Sequence, residues 1–198
     1  QGSSIGQSRA RMLPNRNYLV TAGTQIPCIL QTAMDTSTPG FVSCLISRDV
    51  YSDNGNVVLM ERGTRVLGEY RGGLRRGQNR MFVVWNRAVT PKGVSVNLGS
   101  PAADTLGRAG MSGQVETFFW ERFGGAILLS VVDDAVALAA NRYDDARNTV
   151  RQPSDAASVA LENSINIPPV LRKNQGEEVS IFAASDFDFS GVYGLALR

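Results

Sequence analysis

Gln114–Ala140 reads QVETFFWERFGGAILLSVVDDAVALAA, the longest stretch of helical character in a chain that otherwise alternates like a β protein. Apolar residues recur at Phe119, Phe123, Ile127, Val131 and Ala135, a run of i,i+4 steps that lines one side of a helix. Trp120, Leu128, Val132 and Val136 form a second row beside it, with Gly124 completing the spacing. No charge falls between Arg122 and Asp133, and apart from Gly124 and Gly125 only Ser130 interrupts the apolar run. A helix that is apolar all round is buried in protein or in lipid.

Length limits the choice. The band Phe123–Val132 is ten residues, about 15 Å of helix at roughly 1.5 Å per residue. A bilayer core takes about 20 apolar residues, so a lone transmembrane helix is excluded by half. Two environments stay open: the core of a soluble domain, or one wall of an oligomeric pore whose charged positions turn away from lipid. Phe118, Phe119 and Trp120 suit a membrane interface, where amphipathic rings collect, and suit a core equally well.

Downstream, Asn141–Pro153 (NRYDDARNTVRQP) is polar, with Arg142, Tyr143, Arg147 and Arg151 set among Asp144 and Asp145. Such a run is a solvated tip or connection. Ser154–Asn166 returns to helix, with Ser154 or Asp155 as N-cap. Ala156 and Ala160 give a small-xxx-small face that admits a second helix. The expectation is a helical hairpin over residues 114–166, inserted into a β protein.

Around it, the 198 residues carry 20 glycines and scattered Val, Ile and Thr, which favour an all-β body large enough to bury a core. Net charge is +2, too small to imply a nucleic acid or an acidic membrane as partner. The opening QGSSIGQSRA has no initiator Met and no apolar leader, so the chain is expected to be a piece of a longer protein. Residues 1–17 read as a polar arm or linker and 18–198 as the body. Strands are expected at Thr24–Ala33, Phe41–Tyr51, Val57–Met60, Gly63–Arg71, Met81–Thr90 and Val94–Leu98. Ser100–Gly113 reads as a Gly/Ala-rich connection, and Ile167–Leu171, Glu178–Ala183 and Gly191–Leu197 as closing strands. This spacing of strands and turns suggests a barrel or sandwich.

A hairpin centred near Thr36 would put Cys28 opposite Cys44, within reach of a disulfide. Such a bond implies an oxidising compartment; the alternative is two buried thiols. Histidine is absent, so a Ser-His-Asp triad cannot be built within the chain, and zinc sites are hard to assemble. Asp133-Asp134, Asp144-Asp145, Glu177-Glu178 and Asp186/Asp188 are the paired acids. Neighbouring acids on a helix diverge by about 100°, and Asp186/Asp188 read as the polar face of a strand. There is no GxSxG and no P-loop. No enzyme, cofactor or metal site is expected. Arg71, Arg75, Arg76 and Arg80 form the densest charge cluster. They are either a solvated hairpin end or a phosphate grip, with Tyr70, Phe82 or Trp85 as stacking partners.

The last strands carry a family likeness. Asn174-Gln175-Gly176, the strand Val179–Phe182 and Asp188-Phe189-Ser190 resemble the closing signature of the TrbI-like family (VirB subunit ten) of type IV secretion. Leu19–Cys28 (LVTAGTQIPC) resembles its opening strand. Glu61–Thr64 through Gly68–Tyr70 and then Arg80–Asn86 resemble its next blocks, so the likeness covers most of residues 10–198 in order. It implies a mainly β fold, a modified β-barrel in the periplasm with a two-helix projection, the antenna. It also implies a homo-oligomeric ring whose antennae line a channel through the outer membrane for protein or DNA transfer. A lipoprotein and a second β-domain subunit would be partners, and the full-length protein would also be anchored in the inner membrane. By position the membrane-inserting residues would be Phe118, Phe119, Trp120, Phe123, Gly124, Gly125, Ile127, Leu128, Leu129, Val131 and Val132. Arg142, Tyr143, Asp144, Asp145, Arg147 and Arg151 would form the extracellular tip. The competing expectation is a soluble extracytoplasmic β-domain that binds protein or nucleic acid through its Arg-rich loop.

Overall fold

Period-two alternation buries one face of a strand. The computed structural model, which describes residues 9–75, 77–125, 127–128 and 166–194, forms such strands throughout the body. In chain order they are β1 (Leu19–Val20), β2 (Gln25–Leu30), β3 (Met34–Asp35), β4 (Gly40–Ile46) and β5 (Val50–Tyr51). Then come β6 (Val58–Met60), β7 (Arg65–Tyr70), β8 (Arg80–Met81), β9 (Val83–Val89) and β10 (Ser95–Ala103). The remainder are β11 (Met111–Ser112), β12 (Gln114–Glu116), β13 (Val170–Lys173), β14 (Glu178–Phe182) and β15 (Phe187–Asp188).

Six of these close into a barrel in the order β10-β14-β2-β4-β7-β9, every neighbour antiparallel. Inward positions follow the alternation: Ile26, Cys28 and Leu30 on β2, Val42, Cys44 and Ile46 on β4, Val179 and Ile181 on β14. Irregularities interrupt it where the sheet must bend. The ladder shifts between Leu67 and Gly68 against β9, and between Asn97 and Ser100 on β10. Bulges of this kind increase local twist and let a small sheet curl shut. Trp85 fills the interior and is wholly buried. Gly68 faces it so closely that a Cβ there would lie 2.6 Å from the indole Cε3 and 2.7 Å from the Val84 carbonyl oxygen.

Smaller sheets accompany the barrel. β1 pairs with β15, which sends Phe187 and Phe189 into the core, and Phe189 stacks on Tyr193 at 5.9 Å. β5 pairs with β6, β8 with β11, and β12-β13-β3 make a three-stranded sheet.

Several expected boundaries move. Phe41–Tyr51 is two strands, because the chain leaves the barrel after Ile46. Ser100–Gly113 is no plain connection: β10 runs to Ala103 and β11 follows. The strand expected at Ile167–Leu171 is Val170–Lys173, and the described residues 191–194 form no strand. Gln114–Glu116, expected as the first helical turn, is strand β12.

Cys28 and Cys44 are joined across a Cα separation of 5.8 Å, both wholly buried. They do not face each other, however. Cys28 pairs with Ile46 and Cys44 with Leu30, so the bridge crosses the ladder diagonally. The connection is not a tight hairpin, since Met34–Asp35 is drawn off to pair with β13, and the register centres on Ser37 rather than Thr36.

Two outcomes follow from this packing. Gly68→Ala should cost about 1–3 kcal/mol through overpacking against Trp85, read as a lower urea midpoint. Removing the cross-link with Cys28→Ala/Cys44→Ala should cost about 3 kcal/mol in the chain-entropy picture. Thiol titration of exported, unreduced protein in denaturant should find no reactive thiol; two would exclude the bridge in that compartment.

Candidate functional site

The chain leaves the β body at Glu116 and re-enters it at Val170, and those two residues are register partners. Gln114 pairs with Arg172, Val115 with Leu171 and Glu116 with Val170, so both ends of the excursion 117–169 are fastened in one antiparallel ladder. β13 in turn pairs with β3 through Arg172↔Asp35 and Lys173↔Met34.

Thr36 fastens this small sheet to the body. Its Oγ1 accepts the Leu171 N–H at 2.8 Å, its own N–H donates to the Leu171 carbonyl at 3.1 Å, and its carbonyl accepts the Gly73 N–H at 2.7 Å. Thr36 is 1 % exposed, so each unmade bond would leave a buried polar group unsatisfied. On the outer face Arg172 donates to Asp35 at 2.9 Å and to Glu116 at 2.7 Å, tying all three strands. Hydrogen bonds from Ser37, then from Arg172, hold the Asp35 carboxyl at about 2. These groups are about half exposed, so the ion pairs orient the sheet more than they stabilise it. On the inner face Lys173 is almost buried and donates to Glu177 at 2.5 Å and to the Ser112 carbonyl at 3.1 Å.

From this root a helix departs. Phe118 adopts a left-handed backbone, φ 51°, a strained conformation for an aromatic residue. Its carbonyl accepts the Arg122 N–H at 3.0 Å, and residues 119–125 and 127–128 are helical. Phe119 packs between Trp120 at 5.4 Å and Phe123 at 5.2 Å, and the Arg122 guanidinium lies 5.5 Å from the Phe123 ring centroid. This cluster is not core. Phe119 is 52 %, Trp120 71 % and Leu128 67 % exposed, with Ile127 also exposed, and nothing lies within 4 Å of a Cβ at Gly124 or Gly125. Contiguous apolar exposure of this kind marks an interaction surface. No helix among the described residues is long and apolar enough to cross a membrane. Leu129, Val131 and Val132, and the tip residues Arg142, Tyr143, Asp144, Asp145, Arg147 and Arg151, lie outside the described residues, as do Asp133 and Asp134.

Elsewhere the candidate chemistry resolves into fasteners. Arg80 is no part of a free basic loop. Its Nε donates to the Ala109 carbonyl at 2.8 Å, and its Nη2 to the Arg108 and Gly110 carbonyls and to Asp104. Arg108 donates to the same Asp104 carboxylate at 2.6 Å. Arg71 and Arg75 are exposed, and Arg76 lies outside the described residues. Trp85 is sealed inside the barrel and cannot stack on a ligand, whereas Phe82 is 59 % exposed. Asp186 accepts the Ala22 N–H at 2.8 Å and so ties the turn after β1 to the C-terminal segment, whereas Asp188 accepts the Ser190 N–H at 2.8 Å, a local turn contact. No metal-holding group of three or more His, Cys, Asp or Glu occurs among the described residues.

The root ladder escaped the sequence reading. A trace of it was visible in the alternation Gln114-Val115-Glu116, which the longer helical period beyond had absorbed.

Burial pushes the Asp104 carboxyl up, but hydrogen bonds from Arg108 and Arg80 outweigh it and hold the group at about 2. An unfolded aspartate titrates near about 3.9. The Asp104 contribution is therefore present above that value and is lost as pH falls through about 2. Arg80→Leu should cost about 1.5–3 kcal/mol at neutral pH, and the deficit should shrink across that acid window, as urea melts at several pH values will read.

Comparison with known proteins places this geometry. The family described as "Bacterial conjugation TrbI-like protein" matches residues 19–189. The chain is 52 % identical over 191 residues to a type IV secretion system protein virB10 of Bartonella quintana, covering 94 % of this chain and 50 % of that protein. It is 47 % identical over 204 residues to the protein virB10 of Agrobacterium tumefaciens, covering 98 % and 53 %. The chain thus spans about half the length of these relatives. The solved structure of ComB10 from the Com type IV secretion system of Helicobacter pylori superposes with a TM-score of 0.55 at 19 % identity. It covers 86 % of this chain and 90 % of that one, a likeness of fold.

Proposed function

The chain belongs to the TrbI-like family of bacterial conjugation proteins, and from that premise we propose that it is the β-barrel part of a structural subunit of a type IV secretion system in the bacterial cell envelope. The work of this part is assembly and passage rather than catalysis. Residues 18–198 form the barrel domain, 1–17 an arm that reaches to neighbours, and the excursion 117–169 the helical projection.

The observation that supports this reading best is the rooted excursion. A ladder clamps both ends of 117–169, and the first helical turns carry an exposed aromatic cluster away from the body. A soluble protein gains nothing from Trp120 and Leu128 in water, whereas Trp collects at a membrane interface. In the proposed assembly many copies form a ring in the periplasm, and their helical hairpins cross the outer membrane side by side. The shortness of the Phe123–Val132 band is then no obstacle. The outer membrane is thinner than average, and ring neighbours cover backbone and polar faces. Asn141–Pro153 would emerge outside the cell, and protein or DNA would pass through the channel. A lipoprotein and a second β-domain subunit of the same system would contact the barrels. The alternative of nucleic-acid binding through the Arg-rich loop is weakened, because Arg80 is committed to Asp104 and Trp85 is enclosed.

Replacing 117–169 by a short Gly/Ser loop should leave the barrel folded and its urea midpoint little changed, while abolishing transfer. Leu128→Arg should cost about 2.5–3.5 kcal/mol per subunit at a membrane centre and prevent insertion. An epitope near Thr149 should be reachable by antibody on intact cells. A tag that stays hidden on active cells, together with normal transfer by Leu128→Arg, would show the segment to be a soluble helix.

A further inference from the structure

β2 is paired along its whole length with β14, from Glu178↔Ile29 to Phe182↔Gln25. On its other side the ladder with β4 stops at Cys28↔Ile46. The reason lies in Pro27. Its carbonyl accepts the Ser47 N–H at 3.2 Å, but proline has no N–H to return, so β4 peels away toward β5. Peptide groups of alternate strand residues point to opposite neighbours. Leu30 donates toward Glu177 beside β14, and Pro27 points to the β4 side. Gln25, two residues before Pro27, therefore offers its N–H and C=O on the side that β4 has left.

The gap is an open groove of about 930 Å³, lined by Thr24, Gln25 and Pro27 on one bank and by Arg48, Tyr51 and Arg62, among others, on the other. That is within the usual range for a binding cleft, about 300–1,000 Å³. Its charge is net positive, two arginines against one aspartate. Arg48 and Arg62 are exposed, and neither guanidinium has an ion-pair partner among the described residues. The acid on the same bank, Asp49, is turned to the Arg62 N–H at 2.7 Å. Tyr51 is 53 % exposed and contributes an amphipathic ring.

We infer that this groove is a docking site for an extended acidic peptide segment of a partner protein. Backbone groups of the segment pair with Gln25 as a short added strand, and its carboxylates meet Arg48 and Arg62. A strand edge selects for peptide over nucleic acid or free anion, since those lack the alternating donor and acceptor that Gln25 matches. The two arginines select the sign of charge. None of the residues lining the site belongs to the root ladder β12-β13-β3, and the site stands independently of the membrane reading.

The test uses the 198-residue chain and a fluorescein-labelled peptide of alternating Glu and Val, with a Gln-for-Glu peptide as control. Anisotropy should show saturable binding of the acidic peptide, weakened about tenfold by Arg48→Glu/Arg62→Glu and clearly by the milder Arg48→Gln/Arg62→Gln. Arg87→Glu, an exposed position on the outer face of β9, should change nothing. Thermal melts confirm that each variant folds, and amide spectra of the complex should shift at Gln25 and Tyr51. Absence of binding, equal binding of the Gln peptide, insensitivity to both Arg48/Arg62 variants, or shifts that avoid Gln25 would each overturn the proposal.

Discussion

Barrel closure passes through the ladder between β10 and β14, only two residue pairs long, Ala102↔Ile181 and Ala103↔Ser180. These strands stand on opposite sides of the segment 117–169, so the seam must form across a long intervening stretch of chain. Loop-closure entropy rises only slowly with length, which is why a barrel tolerates so large an insertion at this point. The seam is reinforced by side chains. Buried Ser100 donates to the Leu98 carbonyl at 2.8 Å and accepts the Ala184 N–H at 3.2 Å. Lys173, just past the root of the excursion, reaches back to the Ser112 carbonyl. The barrel seam and the root of the excursion are separate ladders, joined along the chain by β11 and by the turn 174–177.

Ionised side chains in the body act as local fasteners. Asp104 gathers Arg80, Arg108 and two backbone N–H groups. Asp53 receives Arg16 and Thr21, and the Arg16 contact lowers its carboxyl below the ordinary range. Glu177 is lowered by Lys173 in the same way. In each case the acid is turned to a loop or a chain end, and none is poised for proton transfer. A body built in this way is suited to hold geometry. The surfaces proposed to act are the exposed aromatic helix that leaves the root and the strand-edged groove beside Pro27.

Much of this was legible in the residues alone. Alternation over 25–30 and 65–70 marks strands with one buried face, because a period of two admits no other regular structure. The aromatic start and charge-free run after Arg122 mark a helix that needs a special environment, whatever the fold around it. The absence of histidine leaves no imidazole base within this chain. The closing motifs at Asn174–Gly176 and Asp188–Ser190 carried the family.

What the sequence could not decide were relations between distant segments. Gln114–Glu116 is a strand because Val170–Lys173 lies beside it, and a three-residue alternation is too short to outweigh the helical period that follows. Cys28 and Cys44 bridge diagonally because β13 draws Met34–Asp35 out of a simple hairpin. Arg80 looked like one of four loop arginines until the 104–110 turn folded over it. Local pattern determines which face of an element is apolar, whereas register, ion-pair partners and grooves arise only when separate elements meet. By itself the sequence determined a β body, the start of an apolar helix and the absence of histidine chemistry; the tertiary structure decided where that helix is rooted and which arginines are drawn into ion pairs among the described residues, because both depend on segments far apart in the chain.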